Sequence, residues 1–343
     1  MTVDASGRRK RLVHGLAAVF IASSLWIPQT RAADGPQKIV TFDTASPLSS
    51  AAEIARRAFS PLRARRLAAT NDLNGQTVDI AKESFLLYVP AQKPPQGYAL
   101  LVFVPPWDDA KLPDGWGPVL DQYGVIFVSA AHSGNDASVH NRRMPLALIA
   151  AQNVARQYGV ARVYVGGFSG GARVALRLAL AYPDVFRGAL LNSGSDPIGT
   201  QDVPLPPADL FQRFQESTRL VYLTGEQDAP RLSMTNASTR SMRTWCVSDV
   251  HIFTMMQTGH EAANASAFSE ALGTLLDPAP PRPDDLASCR AGLASELDDK
   301  LRRIQGLITA GDKAGARQML DDVDTTFGGL AAPRSLALDD ALR

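Results

Sequence analysis

The chain has 343 residues, a formal net charge of +1 and 45% hydrophobic residues, which suit one large globular domain with a smaller appendage. Its 35 basic residues nearly balance 34 acidic ones, so the charge gives no reason to expect nucleic acid as a partner. The two cysteines, Cys246 and Cys289, lack the spacing of a metal site. They could form one disulfide or remain two free thiols, and both alternatives stay open.

The N-terminus has the three parts of a secretory signal. A basic segment occupies residues 8–11, a mostly apolar run covers residues 12–28, and Thr30-Arg31-Ala32 places small residues at the recognition positions of a cleavage site. We predict a signal peptide over residues 1–32 and an exported chain, periplasmic or extracellular. A membrane anchor is the alternative, but the apolar run is short and interrupted, so we expect no stable span after processing. Removing residues 1–32 takes away five basic residues and one acidic residue and leaves a net charge of about −3.

Residues 33–83 are predicted to form an N-terminal leader and helix. Residues 33–46 are polar, and residues 49–69 carry apolar side chains near helical spacing. Proline lacks the N–H that a helix interior needs, so we expect an interruption at Pro61.

Residues 84–277 alternate short apolar runs with helical patterns. The predicted strands are 84–90, 98–104, 125–130, 161–166, 188–192, 220–224 and 251–256, and the clearest helices are 145–158 and 172–181. Continuous apolar strands that alternate with helices are typical of an α/β fold. We therefore predict a mostly parallel sheet with helices on both faces.

The segment Gly167-Phe168-Ser169-Gly170-Gly171 lies between a predicted strand and a predicted helix. It fits the G-x-S-x-G pattern, in which a serine occupies a sharp strand-to-helix turn. Small neighbours are needed there because the backbone is strained and the helix approaches the strand closely. Ser169 is thus the predicted nucleophile.

A serine nucleophile needs a base, and the base needs an orienting acid. Among the five histidines, His260 alone follows the serine and comes on a loop after the last core strand. Asp228 follows the strand 220–224 and is the predicted acid. Glu226, and less so Asp196, are the alternatives.

Two backbone N–H groups should stabilise the oxyanion of such a reaction. Gly170, directly after the serine, supplies one. The other should come from the loop after strand 98–104, which begins with Pro105 and Pro106. Proline has no N–H, so Trp107 or a neighbour is the predicted second donor.

The composition changes after a Pro-rich linker at residues 278–283. Residues 284–308 and 313–327 have helical periodicity, with a break at Gly311-Asp312. The helical tail, residues 284–343, is similar to a tetratricopeptide helix pair, although one pair cannot form a solenoid. We expect it to dock on the main domain, and a protein partner could bind it.

These motifs resemble the polyhydroxybutyrate depolymerase and feruloyl esterase-like branch of exported bacterial serine esterases, within the α/β-hydrolase superfamily. The resemblance covers residues 85–276 and rests on segments 87–90, 163–173, 182–186, 224–228 and 259–261. It implies an α/β-hydrolase fold, a Ser169–Asp228–His260 triad, a small or medium ester as substrate, and no cofactor or metal. Many relatives carry His-Gly where this chain has Pro105-Pro106, which is a departure. A peptidase of the same fold, or an impaired hydrolase that serves as a binding or scaffold protein, are the alternatives.

Overall fold

The computed structural model describes residues 37–70, 78–278 and 284–343. The predicted signal peptide and most of the predicted linker lie outside the described residues. Every element given below belongs to one compact unit that runs from Gly35 to Arg343.

The described residues form eight strands and eleven α-helices. The strands are β1 (Gln37–Val40), β2 (Phe85–Tyr88), β3 (Ala99–Val104), β4 (Val125–Ala130), β5 (Arg162–Phe168), β6 (Gly188–Asn192), β7 (Arg219–Gly225) and β8 (Val250–Met255). The helices are α1 (Ala51–Ala58), α2 (Pro61–Thr70), α3 (Trp116–Tyr123), α4 (Met144–Tyr158), α5 (Gly170–Ala181), α6 (Ala208–Ser217), α7 (Ala229–Thr244), α8 (Ala265–Leu276), α9 (Leu286–Thr309), α10 (Lys313–Phe327) and α11 (Arg334–Ala341).

All eight strands belong to one sheet, in the order β1-β2-β4-β3-β5-β6-β7-β8. β2 pairs antiparallel with both β1 and β4, and all the remaining pairs are parallel. Parallel strands end at the same edge of a sheet, and the loops after β3, β5, β6, β7 and β8 therefore meet there. A mostly parallel sheet with the serine turn directly after its central strand is the α/β-hydrolase fold, as the sequence predicts.

Each face of the sheet carries its own hydrophobic core. Leu100 and Val102 of β3 point to the core beneath α4 and α5. Leu101 and Phe103 point to the opposite core, where Trp116 of α3 stacks on Phe268 of α8. Successive side chains of a strand point to opposite faces, so continuous apolar strands must be covered on both sides.

The predicted strands and helices agree with the structure to within two residues at their ends. The leader differs, because residues 37–40 form the edge strand β1 rather than an irregular segment. β1 is short and exposed, so it lacks the apolar run that marks the buried strands. The interruption expected at Pro61 is present: α1 ends at Ala58, Phe59 is extended, and Pro61 begins α2, because the first helical position needs no N–H partner.

The helical tail packs on the main body. Its residues Leu301, Leu320 and Phe327 belong to the same core as α4 and α5. A disulfide joins Cys246, after α7, to Cys289 in α9, with 6.1 Å between the Cα atoms. Of the two alternatives that the sequence left open, the structure has the disulfide.

Candidate active site

Ser169 occupies the turn between β5 and α5 in a strained backbone conformation. Its φ of 54° and ψ of −120° are unusual for a residue with a side chain. The serine N–H donates to the carbonyl of Asn192, at the end of β6. This contact fixes the turn against the neighbouring strand, which is how the fold can hold the strained conformation.

Glycine is required around the turn because three backbones meet there. A Cβ on Gly167 would lie 2.3 Å from the carbonyl carbon of Gly171. A Cβ on Gly171 would lie 1.9 Å from the carbonyl oxygen of Val104, in β3. The sequence pattern thus reflects the close approach of α5 to β5 and β3.

The structure brings Ser169, His260 and Asp228 into one hydrogen-bonded chain. The Nε2 atom of His260 lies 2.9 Å from Oγ of Ser169, and its Nδ1 atom lies 2.6 Å from Oδ2 of Asp228. A carboxylate only accepts hydrogen bonds, so the proton lies on Nδ1, and Nε2 is left to accept from the serine hydroxyl. In this arrangement His260 can take the serine proton.

The three hydrogen-bonded residues differ in how deeply they are buried. Ser169 is 6% exposed and the Asp228 side chain is also 6% exposed, whereas the His260 side chain is 39% exposed. The acid therefore lies inside the protein, and the imidazole lies at the surface of the crevice. A substrate can reach the serine from the solvent side without displacing the buried acid.

The two alternative acids lie elsewhere. Glu226 accepts a hydrogen bond from the backbone N–H of Gln257, at 2.9 Å, and so holds the turn after β8. Asp196 pairs with Arg173 and Arg177 of α5. Of the three acids that the sequence offered, only Asp228 contacts His260.

The turn after β7 is joined to the loop that carries His260. Gln227 donates its backbone N–H to the carbonyl of Thr258, at 2.9 Å. A Cβ on Gly225 would lie 2.2 Å from the carbonyl oxygen of Gly259, so only glycine permits this approach. These contacts place Asp228 within reach of His260.

Asn192 connects three segments of the site, namely the serine turn, β7 and the loop after His260, and the sequence analysis did not identify it. Its buried amide donates to the carbonyl of Leu223 and accepts from the backbone N–H of Ala263, at 3.1 and 2.8 Å. Its own carbonyl accepts from Ser169. A polar residue that ends an otherwise apolar strand was the available signal.

Of the two predicted oxyanion donors, Gly170 directly follows the serine, and the role of Trp107 stays a prediction. Gly170 is the first residue of α5, so its N–H has no acceptor within the helix. In the part of the chain that the structure describes, the N–H of Trp107 makes no backbone hydrogen bond. The loop is anchored just before Trp107, because Pro106 accepts from the backbone N–H of Asn135 and Pro105 accepts from the guanidinium of Arg143.

Aromatic side chains line the crevice beside the histidine. The ring of Phe168 lies 5.0 Å from that of His260 and 6.0 Å from that of Trp107, between centroids. The ammonium group of Lys111 lies 4.5 Å above the Trp107 ring.

A second His–Asp pair, His132 and Asp108, lies at the surface, with 2.8 Å between Nδ1 and Oδ2. Neither residue of this pair contacts Ser169.

No family model matches the sequence. The curated proteins contain no match either. Among solved structures, the chain is similar to Est1E from Butyrivibrio proteoclasticus, with 14% identity and a TM-score of 0.44 over 58% of this chain and 97% of that one. A ferulic acid esterase has 13% identity and a TM-score of 0.42, over 69% of this chain and 95% of the esterase.

A Mycobacterium tuberculosis puromycin-hydrolyzing peptidase is similar at 16% identity, with a TM-score of 0.39. That match covers 59% of this chain and only 38% of the peptidase. All three likenesses are distant, so the fold assignment rests on the strand order and the serine turn.

Over residues 37–70, 78–278 and 284–343, no helix is long and apolar enough to cross a membrane. Those same ranges hold no cluster of three or more side chains suited to a metal ion.

Proposed function

We propose that this chain is a serine hydrolase that cleaves carboxylic esters through an acyl-enzyme on Ser169. The observation that carries the proposal is the hydrogen-bonded chain from Ser169 through His260 to the buried Asp228. A strained serine beside a histidine, oriented by a carboxylate, is the arrangement that activates a hydroxyl for attack on a carbonyl carbon. The aromatic wall of Phe168 and Trp107 suits an apolar part of the substrate.

The first half of the reaction forms the acyl-enzyme. The Ser169 oxygen bonds to the ester carbonyl carbon while Nε2 of His260 takes the hydroxyl proton. The carbonyl oxygen gains negative charge and accepts hydrogen bonds from the N–H groups of Gly170 and Trp107. His260 then gives its proton to the alcohol oxygen as the C–O bond breaks, and Asp228 stabilises the imidazolium meanwhile.

In the second half of the reaction, water hydrolyses the acyl-enzyme. It attacks the acyl carbon while His260 takes one of its protons, and the same proton returns to Ser169 as the carboxylic acid leaves. The products are one acid and one alcohol, and the enzyme regains its starting state. His260 acts at both steps, and its partial exposure leaves a path for water.

The test combines labelling with turnover. A fluorophosphonate should label the purified mature protein at Ser169, and short-chain 4-nitrophenyl esters should be hydrolysed. Ser169→Ala should abolish both labelling and turnover, and His260→Ala should abolish turnover. The two losses should not add, because the residues act as a unit. Turnover of peptide amides in preference to esters would favour the peptidase, and absence of labelling would favour a scaffold protein.

We also propose export after cleavage at Ala32. The Cys246–Cys289 disulfide supports this, because disulfides persist in oxidising compartments. Intact mass of the secreted or periplasmic protein should give an N-terminus at Ala33. A mature pool that retains Met1 would contradict the proposal. The protein partner predicted for residues 284–343 stays a prediction.

A further inference from the structure

Three arginines gather around the first two turns of α5, the helix that begins directly after the proposed nucleophile. Arg173 lies one helical turn after Ser169, and its backbone N–H donates to the Ser169 carbonyl at 3.4 Å. Arg177 follows one turn later in α5. Arg143 donates to the carbonyls of Pro105 and Ser133 at 2.7 and 2.9 Å, and so lies beneath the loop of the predicted oxyanion donor.

One carboxylate faces this cluster directly. Asp196 accepts from Nε of Arg173 at 2.9 Å and from Nη1 of Arg177 at 2.6 Å. The loop that carries this acid passes close to the serine backbone, because a Cβ on Gly194, two residues before Asp196, would lie 2.0 Å from the Ser169 carbonyl oxygen. Asp228 is already paired with His260.

The positive charges are therefore in excess. Burial and the nearby guanidiniums of Arg177 and Arg173 lower the pKa of Arg143 to about 10, which still leaves it protonated at neutral pH. Burial, with Arg177 and Arg63 nearby, lowers the pKa of His140 to about 4, so this neighbour is uncharged at neutral pH. Three cations and Asp196 leave a local surplus of positive charge.

Arg173 is the member of the cluster that has free donors. Arg143 is 3% exposed and uses two of its nitrogens on carbonyls, and the Arg177 side chain is 12% exposed. The Arg173 side chain is 41% exposed. Only its Nε atom has a hydrogen-bond partner among the described residues, so Nη1 and Nη2 are available to solvent or substrate. A guanidinium with two unused donors matches a carboxylate in geometry and charge.

We infer that the substrate of this hydrolase is an ester that carries a carboxylate, and that Arg173 binds that carboxylate beside Ser169. The inference rests on the proposed function and adds the substrate class to it. Arg177 and Asp196 hold the Arg173 side chain in place, because Asp196 bridges the two guanidiniums. Arg143 adds to the positive potential from beneath the oxyanion loop.

The experiment compares anionic and neutral esters of matched shape. In the first pair, the carboxylate is on the acid part: 4-nitrophenyl hydrogen adipate against 4-nitrophenyl hexanoate. In the second pair, it is on the alcohol part: 4-acetoxybenzoate against its methyl ester. The wild-type protein should prefer the anionic ester in at least one pair by about tenfold in kcat/KM, the size expected of a hydrogen bond to a charged group.

Three variants test the assignment to Arg173. Arg173→Gln should remove the preference, which is a ratio of two esters and so corrects for any general loss of activity. Arg173→Lys keeps the charge and a partner for Asp196 and should retain part of the preference. Arg187→Gln is the matched control: Arg187 is exposed and lies before β6, at the opposite edge of the sheet, so the preference should persist.

The outcomes separate the two proposals. If the wild type hydrolyses no ester, the proposed function fails. If it hydrolyses both members of each pair without preferring the anionic one, or if Arg173→Gln keeps the preference, the inference is overturned and the proposed function stands. Salt at 0.5 M should weaken a preference that depends on charge.

Discussion

Two acidic side chains follow β7 within three residues, and their contacts differ. Asp228 is buried and accepts from His260, whereas Glu226 accepts from a backbone N–H of the turn after β8. Both have the residue type and the position in the chain that an orienting acid needs. The direction of each side chain is what separates them. Asp228 lies at the N-terminus of α7, where Pro230 follows, and its carboxylate turns into the crevice.

At the scale of the residue, we expect Asp228→Asn to lower turnover by about 10⁴-fold, because an amide no longer selects the histidine tautomer that can accept the serine proton. Glu226→Gln should change turnover little, since its oxygen can still accept from Gln257. Steady-state kinetics on an activated ester measures both. A large loss in Glu226→Gln together with a small loss in Asp228→Asn would reverse the assignment.

At the scale of the element, the serine turn depends on how closely α5 approaches the sheet. Gly167 and Gly171 allow the first turn of the helix to contact the backbones of β5 and β3. The G-x-S-x-G pattern is therefore typical of a close approach between the helix and the sheet as well as of a turn. This explains why a local motif predicted a tertiary contact, which short motifs rarely do.

We expect Gly171→Ala to destabilise the fold by about 3 kcal/mol, because the new Cβ would overlap the Val104 carbonyl and force α5 away from β3. Gly292→Ala is the matched control. Gly292 lies in α9 with no atom within 4 Å of a new Cβ, so the substitution should stabilise by up to about 1 kcal/mol. Urea unfolding followed by tryptophan fluorescence measures both changes. Equal effects in the two variants would contradict the packing argument.

At the scale of the whole molecule, the helical tail is tied to the body by two kinds of contact. Phe327 of α10 packs at the edge of the Trp245 ring, with 5.5 Å between centroids. Asp324 accepts from the hydroxyl of Ser60 and from the backbone N–H of Leu62, at the start of α2. Because these contacts belong to the core that covers the sheet, we expect the tail and the body to unfold together.

The disulfide should also raise the free energy of unfolding, because it lowers the conformational entropy of the unfolded chain. Cys246 and Cys289 are 43 residues apart, and a closed loop of this length is worth about 4 kcal/mol in the chain-entropy description. We expect the Cys246→Ala/Cys289→Ala double variant to lose about this free energy of unfolding. Denaturant unfolding with and without reductant measures it, and reductant should leave the double variant unchanged. A wild-type protein that is indifferent to reductant would contradict the prediction.

The sequence by itself determined the sheet, the serine turn and the position of His260 along the chain. Apolar runs of strand length and a glycine-flanked serine are local features, so their meaning does not depend on distant residues. The edge strand β1 escaped prediction for the same reason, because its four residues, two polar and two apolar, form no such local pattern.

Only the tertiary structure decided which side chains meet. It selected Asp228 over Glu226 as the neighbour of His260, paired Cys246 with Cys289, and gathered Arg143, Arg173 and Asp196 near the start of α5. These choices depend on how loops from separate strands come together at one edge of the sheet. Contacts between residues far apart in the chain are set by packing and by hydrogen bonds that residues such as Asn192 make between loops, and no local pattern records them.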